Sequence, residues 1–134
     1  MTAARTTLRY LMAAFMLGGF VLHFRATGKL VTITPDWVPF PREVVLATGV
    51  FELLAGFALL VPRLRWWAGV LIAAYVVAVW PANIKHAVEH IVVPPIPDSW
   101  WYHAPRLALQ PVIAWIALFG AGVIDWPFAR KGRT

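Results

Sequence analysis

The stretch ATGVFELLAGFALLVPRLR, residues 47–65, sets one carboxylic acid, Glu52, in a run of apolar and small residues with no lysine or arginine before Arg63. In a water-soluble helix such an acid would need no account. The rest of the chain makes lipid the expected solvent. Of its 134 residues 60% are hydrophobic and 13% charged, and the mean hydropathy is +0.69. A soluble domain this small would lack the polar surface to cover itself.

Crossing about 30 Å of hydrocarbon takes about 20 residues of helix. Working outward from residues 47–65, four windows have this character: about residues 8–24, 44–61, 66–83 and 106–124. Arg9 and His23 can snorkel from the ends of the first, and Pro81 is tolerable in the third where neighbouring groups meet the carbonyl it frees. The N-terminal RTTLRYLMAAFMLGGFVL has the basic and apolar regions of a signal peptide. No A-x-A site follows Leu22, however, and three further apolar segments need a membrane partner, so it reads as a retained first span. The expected fold is all-α: a single integral membrane four-helix bundle over residues 1–134, with proline-rich outer loops.

Alternating spans place Arg5, Arg9, Arg63, Arg65, Arg130, Lys131 and Arg133 on one side, and Arg25, Lys29, Arg42, Lys85 and Arg106 on the other. The excess on the first side puts both termini in the cytoplasm, with the cell (plasma) membrane as the expected location. The net charge of +6 then reflects orientation and contact with membrane lipid; no motif points to nucleic acid. A membrane protein partner or a second copy is the remaining expected contact. The chain has no cysteine, which excludes disulfides, thiolate metal ligands and thiol nucleophiles.

The connection PRLR is short, so the second and third spans are antiparallel neighbours. The outer connections, residues 25–43 and 89–106, are long and carry Pro35, Pro39, Pro41, Pro94, Pro95, Pro97 and Pro105. Their Trp37, Trp100, Trp101 and Tyr102 suit the headgroup layer. Thr34, Pro35 and Asp36 have the chemistry to start a one-turn interfacial helix. The loops are expected to cap the outer mouth of the bundle.

At 100° per residue, Val45, Thr48, Gly49, Ala55, Gly56 and Leu59 fall within about 60° of Glu52, and Leu46, Val50, Leu54, Phe57 and Val61 fall opposite. Small faces in membranes pack against helices, so Glu52 is expected to point inward. The same geometry offers Met12, Met16, Gly19 and His23 from the first span, Asn83 from the third, and Arg106, Gln110, Ile113, Ala117 and Gly120 from the fourth. His23, Glu52, Asn83, Arg106 and Gln110 are therefore the candidate ligand-binding residues, converging in the outer half of the bundle. Glu52 and His23 are the candidates for proton transfer, because an intramembrane carboxylate is expensive and suggests function. Each also has a structural use. Glu52 can hold helices in register by bonding His23, Asn83 or Arg106, His23 can cap a carbonyl, Asn83 can meet carbonyls freed by Pro81, and Arg106 can anchor at headgroups.

The segment HAVEH, residues 86–90, fits the H-x-x-E-H pattern in which two imidazoles one turn apart share a metal ion. His86 and His90, with His103 beside them, are the weak metal candidates; a solvated pair at a helix end is the plainer reading, and no metal is expected. No motif for haem, flavin or iron–sulfur binding is present.

LHF at the end of the first span, PDWVPFP, GVFELLAGFALLVPRLRWWA and VWPANI together resemble the pattern of DoxX-like membrane proteins, over about residues 19–84. That resemblance implies a small bundle of four membrane helices. It marks His23, Glu52, Pro81 and Asn83 as family-pattern residues without fixing their roles, and the Trp-rich loop over residues 92–105 departs from it. The family takes its name from a subunit of a thiosulfate:quinone oxidoreductase. Two functions from different classes follow: an accessory subunit of a quinone-linked membrane redox system, with quinone as the ligand and a partner chain for the redox centre, or a non-enzymatic scaffold or lipid and small-molecule binding protein. Solute transport by four spans without a repeat would require oligomerisation.

Overall fold

The computed structural model describes residues 2–94 and 96–128; Pro95, Arg130, Lys131 and Arg133, which entered the reading of loops and orientation, lie outside them. The chain is all-helical: α1 (Thr2–Arg25), α2 (Thr27–Ile33), α3 (Pro41–Leu60), α4 (Arg65–Ala78), α5 (Trp80–Val88) and α6 (Trp100–Gly120), with no strand among the described residues. Three stretches are long and apolar enough to cross a membrane: Ala3–Arg25, Pro41–Leu60 and Arg65–Val88, the last running through α4 and α5. The first half of α6 carries His103, Arg106 and Gln110, so its apolar run is confined to its second half.

Helix α3 opens on Pro41, whose fixed φ and missing N–H suit a first turn. It buries Val45, Gly49, Glu52, Ala55, Gly56 and Leu59, while Val50, Leu54, Phe57 and Val61 are exposed. This is the division that the helical spacing predicts. The small face brings α1 close: a Cβ on Gly49 would lie 2.8 Å from His23 Cβ, and one on Gly56 3.3 Å from Met16 Cβ. A second close seam joins α4 to α6, where Gly69 meets Ala121 and the Ala117 carbonyl. Helix α6 also crosses α1, with Gly120 against the Arg9 backbone. Met16, Leu59, Ile72 and Ala117 are buried in the core these helices share.

Arginines fasten α1 to the end of α6. Arg5 Nη1 donates to Phe119 O at 2.8 Å and Nη2 to Asp125 Oδ1 at 2.6 Å; Arg9 Nε donates to Gly120 O at 2.9 Å. These cations meet the carbonyls that a helix leaves unpaired at its C-terminus. A double-mutant cycle with Arg5→Gln and Asp125→Asn, read by SDS titration of the purified protein, is expected to give a coupling of about 1 kcal/mol, since the pair is only partly shielded. A coupling indistinguishable from zero would leave the carbonyl contacts as the whole of the clamp.

At the other end α2 and the long connections form a cap. Leu30 and Ile33, one turn apart on α2, bury against Val45 and Val93, and that apolar pair explains why residues 27–33 coil although they were expected to be loop. The helical turn expected at Thr34 and Asp36 is replaced by non-helical turns over residues 34–40. Lys85 Nζ donates to Thr34 O at 2.9 Å and reaches Asp36 at 3.2 Å, tying α5 to this connection.

Element bounds differ from expectation at three further places. Helix α1 starts at Thr2, six residues before the expected span. The third stretch runs on to Val88 with a break at Val79, before Pro81, which cannot donate to the preceding turn. Helix α6 begins at Trp100, because Ser99 accepts from Trp101 N at 3.3 Å as its N-cap. Trp100, Trp101, Tyr102 and Pro105, expected in a loop, are therefore helical.

Candidate functional site

Glu52, 7% exposed, is contacted from α1 and α4. Tyr75 Oη donates to its Oε1 at 2.8 Å. Its Oε2 lies 3.5 Å from His23 Nε2 and has no hydrogen-bond partner. On the far side of the imidazole, Nδ1 lies 2.8 Å from Val45 O and 3.0 Å from Thr48 Oγ1. A carbonyl only accepts, so Nδ1 carries the hydrogen and donates to Val45, while Thr48 donates its own hydroxyl hydrogen to the same carbonyl at 2.8 Å. In the neutral ring this tautomer leaves Nε2 as the lone-pair nitrogen facing Glu52. At 3.5 Å the two groups face each other without a hydrogen bond, and a proton passing between them needs a closer approach.

Gly19 makes this approach sterically feasible. A Cβ there would lie 2.7 Å from Oε2 and 2.8 Å from the carboxyl carbon, so any side chain would occupy the space of the carboxyl group.

A second polar group lies where α5 meets α6. Arg106 Nη2 reaches Asn83 O at 3.4 Å, His86 Nδ1 at 3.3 Å and His103 Nδ1 at 3.4 Å. Nη2 has two hydrogens for these three acceptors, so they are shared; guanidinium only donates, and an imidazole accepting there at Nδ1 carries its hydrogen on Nε2, which in His86 is buried without a partner. In His103 that hydrogen faces Asp98 Oδ1 at 3.2 Å. The Tyr102 ring packs 5.2 Å from the Arg106 guanidinium carbon. Between the two groups Gln110 Nε2 donates to Val76 O at 3.0 Å, in the last turn of α4. Helix carbonyls lack helical partners there; the carbonyl that Pro81 frees is that of Val77, and Asn83 supplies its main-chain carbonyl to Arg106.

Both groups line one cavity of about 620 Å³. His23, Glu52, Asn83, Arg106 and Gln110 are all on its wall, between apolar side chains that include Phe15, Leu22, Ile33, Val76 and Ile113. The volume and the pattern of a few polar groups in an apolar wall are those of small-molecule sites. Glu52 is paired with His23 and Tyr75; Arg106 bonds Asn83, His86 and His103.

The pairing of His86 with His90 is overturned. Helix α5 ends at Val88, with His90 at φ 52° in the left-handed region and Ile91 N bonded to His86 O, the arrangement of a helix C-terminal cap. His86, 1% exposed, stacks edge-on with the wholly buried His103 at 4.9 Å between ring centres, whereas His90 is exposed with Nδ1 3.4 Å from Asp98. Neither is the solvated pair expected from the spacing. Among the described residues no group of three or more potential ligands is placed to hold a metal ion.

Tyr75, Thr48 and His86 line the cavity but are not among the expected ligand-binding residues; His86 entered only as a weak metal candidate. Tyr75 was findable. Glu52 precedes Val61, the first residue of the short connection, by nine residues, and Tyr75 follows Leu64, the last, by eleven. Antiparallel helices from a tight turn set such positions within about 3 Å of the same height. The burial of His86 depends on the chain returning through α6, and no local pattern encodes it.

A family model described as a domain of unknown function (DUF8561) matches residues 12–120. The chain belongs to that family. The matched region contains every residue of the cavity wall, from Phe15 to Ile113. No curated protein and no solved structure matches the chain.

Proposed function

We propose that this member of the DUF8561 family is an integral protein of the cell membrane, with α6 as a fourth span and both termini in the cytoplasm. It binds a small, mainly apolar molecule with hydrogen-bonding ends in the outer half of a four-helix bundle and serves as an accessory subunit of a quinone-linked redox system. The observation that carries the binding reading is the cavity of about 620 Å³, in which Glu52 beside His23, Gln110 and the donor Arg106 interrupt a mainly apolar wall. Quinone carbonyls require donors within an apolar pocket, and their reduction requires protons, which Glu52 and His23 are placed to pass. The resemblance to DoxX-like proteins supports the redox part. A partner chain supplies the redox centre.

The test is native mass spectrometry of protein released gently with its lipids, together with titration of a soluble short-chain ubiquinone analogue. Bound quinone, and at least about tenfold weaker analogue binding in Glu52→Gln, a difference of about 1.4 kcal/mol, are expected. Quinone-free protein with no measurable affinity for the analogue would overturn the reading.

A further inference from the structure

Arg106 differs from the other cations whose contacts are described. Arg5 is paired with Asp125, Lys85 with Asp36 and Glu89, and Arg9 and Arg65 cap carbonyls near the opposite end of the molecule. Arg106 faces a cavity instead. No carboxylate among the described residues lies within 4.0 Å of it. The acceptors of its Nη2 are uncharged and at least 3.3 Å away, and its further side-chain partner is the phenol of Tyr102. Its Nε is buried with no partner.

The surroundings hold the charge in place without neutralising it. Asp98 accepts from His103 Nε2, which fixes His103 Nδ1 as an acceptor for Arg106, and Asp98 also faces His90. Asp98 thus reaches Arg106 only through the ring of His103. Arg106 is half-buried, with its Nε shut off from water; a guanidinium so placed without a counter-charge favours an anion, and its planar fork meets carboxylate or phosphate oxygens well.

We infer that the cavity takes an anionic amphiphile, its carboxylate or phosphate seated on Arg106 and its apolar part along the cavity wall toward Gln110 and Glu52. This rests on the reading of the cavity as a ligand site and adds the charge of the ligand. A neutral quinone can still bind with Arg106 donating to a carbonyl, and gains the full charge pairing only when it is reduced to an anion. The same chemistry can come from a free acid or from a lipid headgroup.

The test uses the full chain in nanodiscs of uncharged-net phosphatidylcholine at pH 8, with radiolabelled laurate and dodecanol, which share a chain and differ in charge, and with empty discs as background. Laurate is expected to bind at least about tenfold more tightly than dodecanol. Arg106→Gln is expected to bring the ratio of laurate to dodecanol affinity to about one, and Arg106→Lys to retain part of the preference. Equal binding of both probes by the unaltered protein overturns the anionic assignment and leaves the cavity reading standing; this comparison needs no variant to fold. Binding of neither probe overturns both. Preference retained in Arg106→Gln, with helicity unchanged by circular dichroism, also overturns the assignment to Arg106. Phosphatidylglycerol added to the discs supports the inference in either outcome: displacement of laurate identifies a lipid headgroup as the source, and undiminished laurate binding identifies a free acid.

Discussion

Gly49→Val is expected to destabilise the protein by about 3 kcal/mol in SDS titration, near the upper end of the usual cost of overpacking. The added Cβ alone would lie 2.8 Å from His23 Cβ and 3.0 Å from the Phe24 ring. A ring can rotate aside, but His23 Cβ is bonded to the α1 backbone, so the helix itself must retreat. That movement takes His23 away from Val45 and Glu52, and the loss of the hydrogen bond to Val45 adds to the steric cost. Gly18→Ala is the matched control. No atom lies within 4 Å of a Cβ there, and alanine is the better helix former by about 1 kcal/mol, so this variant is expected to be as stable as the parent or more so. Equal effects at the two positions would show that helix propensity, and not close approach of α1 and α3, governs the seam.

Glu52→Lys is expected to cost about 3 kcal/mol or more, and Glu52→Gln less than about 1 kcal/mol. Lysine would put an ammonium ion into a site 7% exposed, whose neighbours His23 and Tyr75 offer no negative charge. A buried charge without a partner is among the more destabilising changes known. Glutamine keeps the shape, and its amide oxygen can accept from Tyr75 while its NH₂ donates to His23 Nε2. Thermal unfolding in detergent, followed by circular dichroism, separates the two variants. If glutamine proved as damaging as lysine, an ionised carboxylate would be required for stability, and the hydrogen bond from Tyr75 would not account for the role of residue 52.

Much of this site is legible in the sequence because helical spacing alone fixes which residues share a face. Glu52 with Gly49 and Gly56, Met12 with Met16, and Gln110 with Ala117 follow from 3.6 residues per turn, and each set is buried. Features set by how the chain returns on itself are not legible in that way. The coil of residues 27–33 depends on Val93 arriving from a distant connection. His86 looks like a partner for His90 because sequence spacing assumes that the helix continues, and it ends at Val88. The start of α6 is an intermediate case: Ser99 is a recognisable N-cap, but the prolines and tryptophans around it suggest a loop more strongly than one serine suggests a helix.

The glycine seams and the proline break divide the molecule along its length. Gly49, Gly56, Gly69 and Gly120 hold backbones in contact along α3, α4 and α6, whereas α5, beyond the break at Val79, is joined to α2 and α6 chiefly through polar side chains and the cap. Variation can therefore act on two separate properties. Substitutions at the seams change whether the chain assembles at all, while substitutions in α5 and the first turns of α6 can reshape what the cavity accepts on a scaffold that stays the same. Selection for a new ligand has a region in which to act without first disturbing the fold.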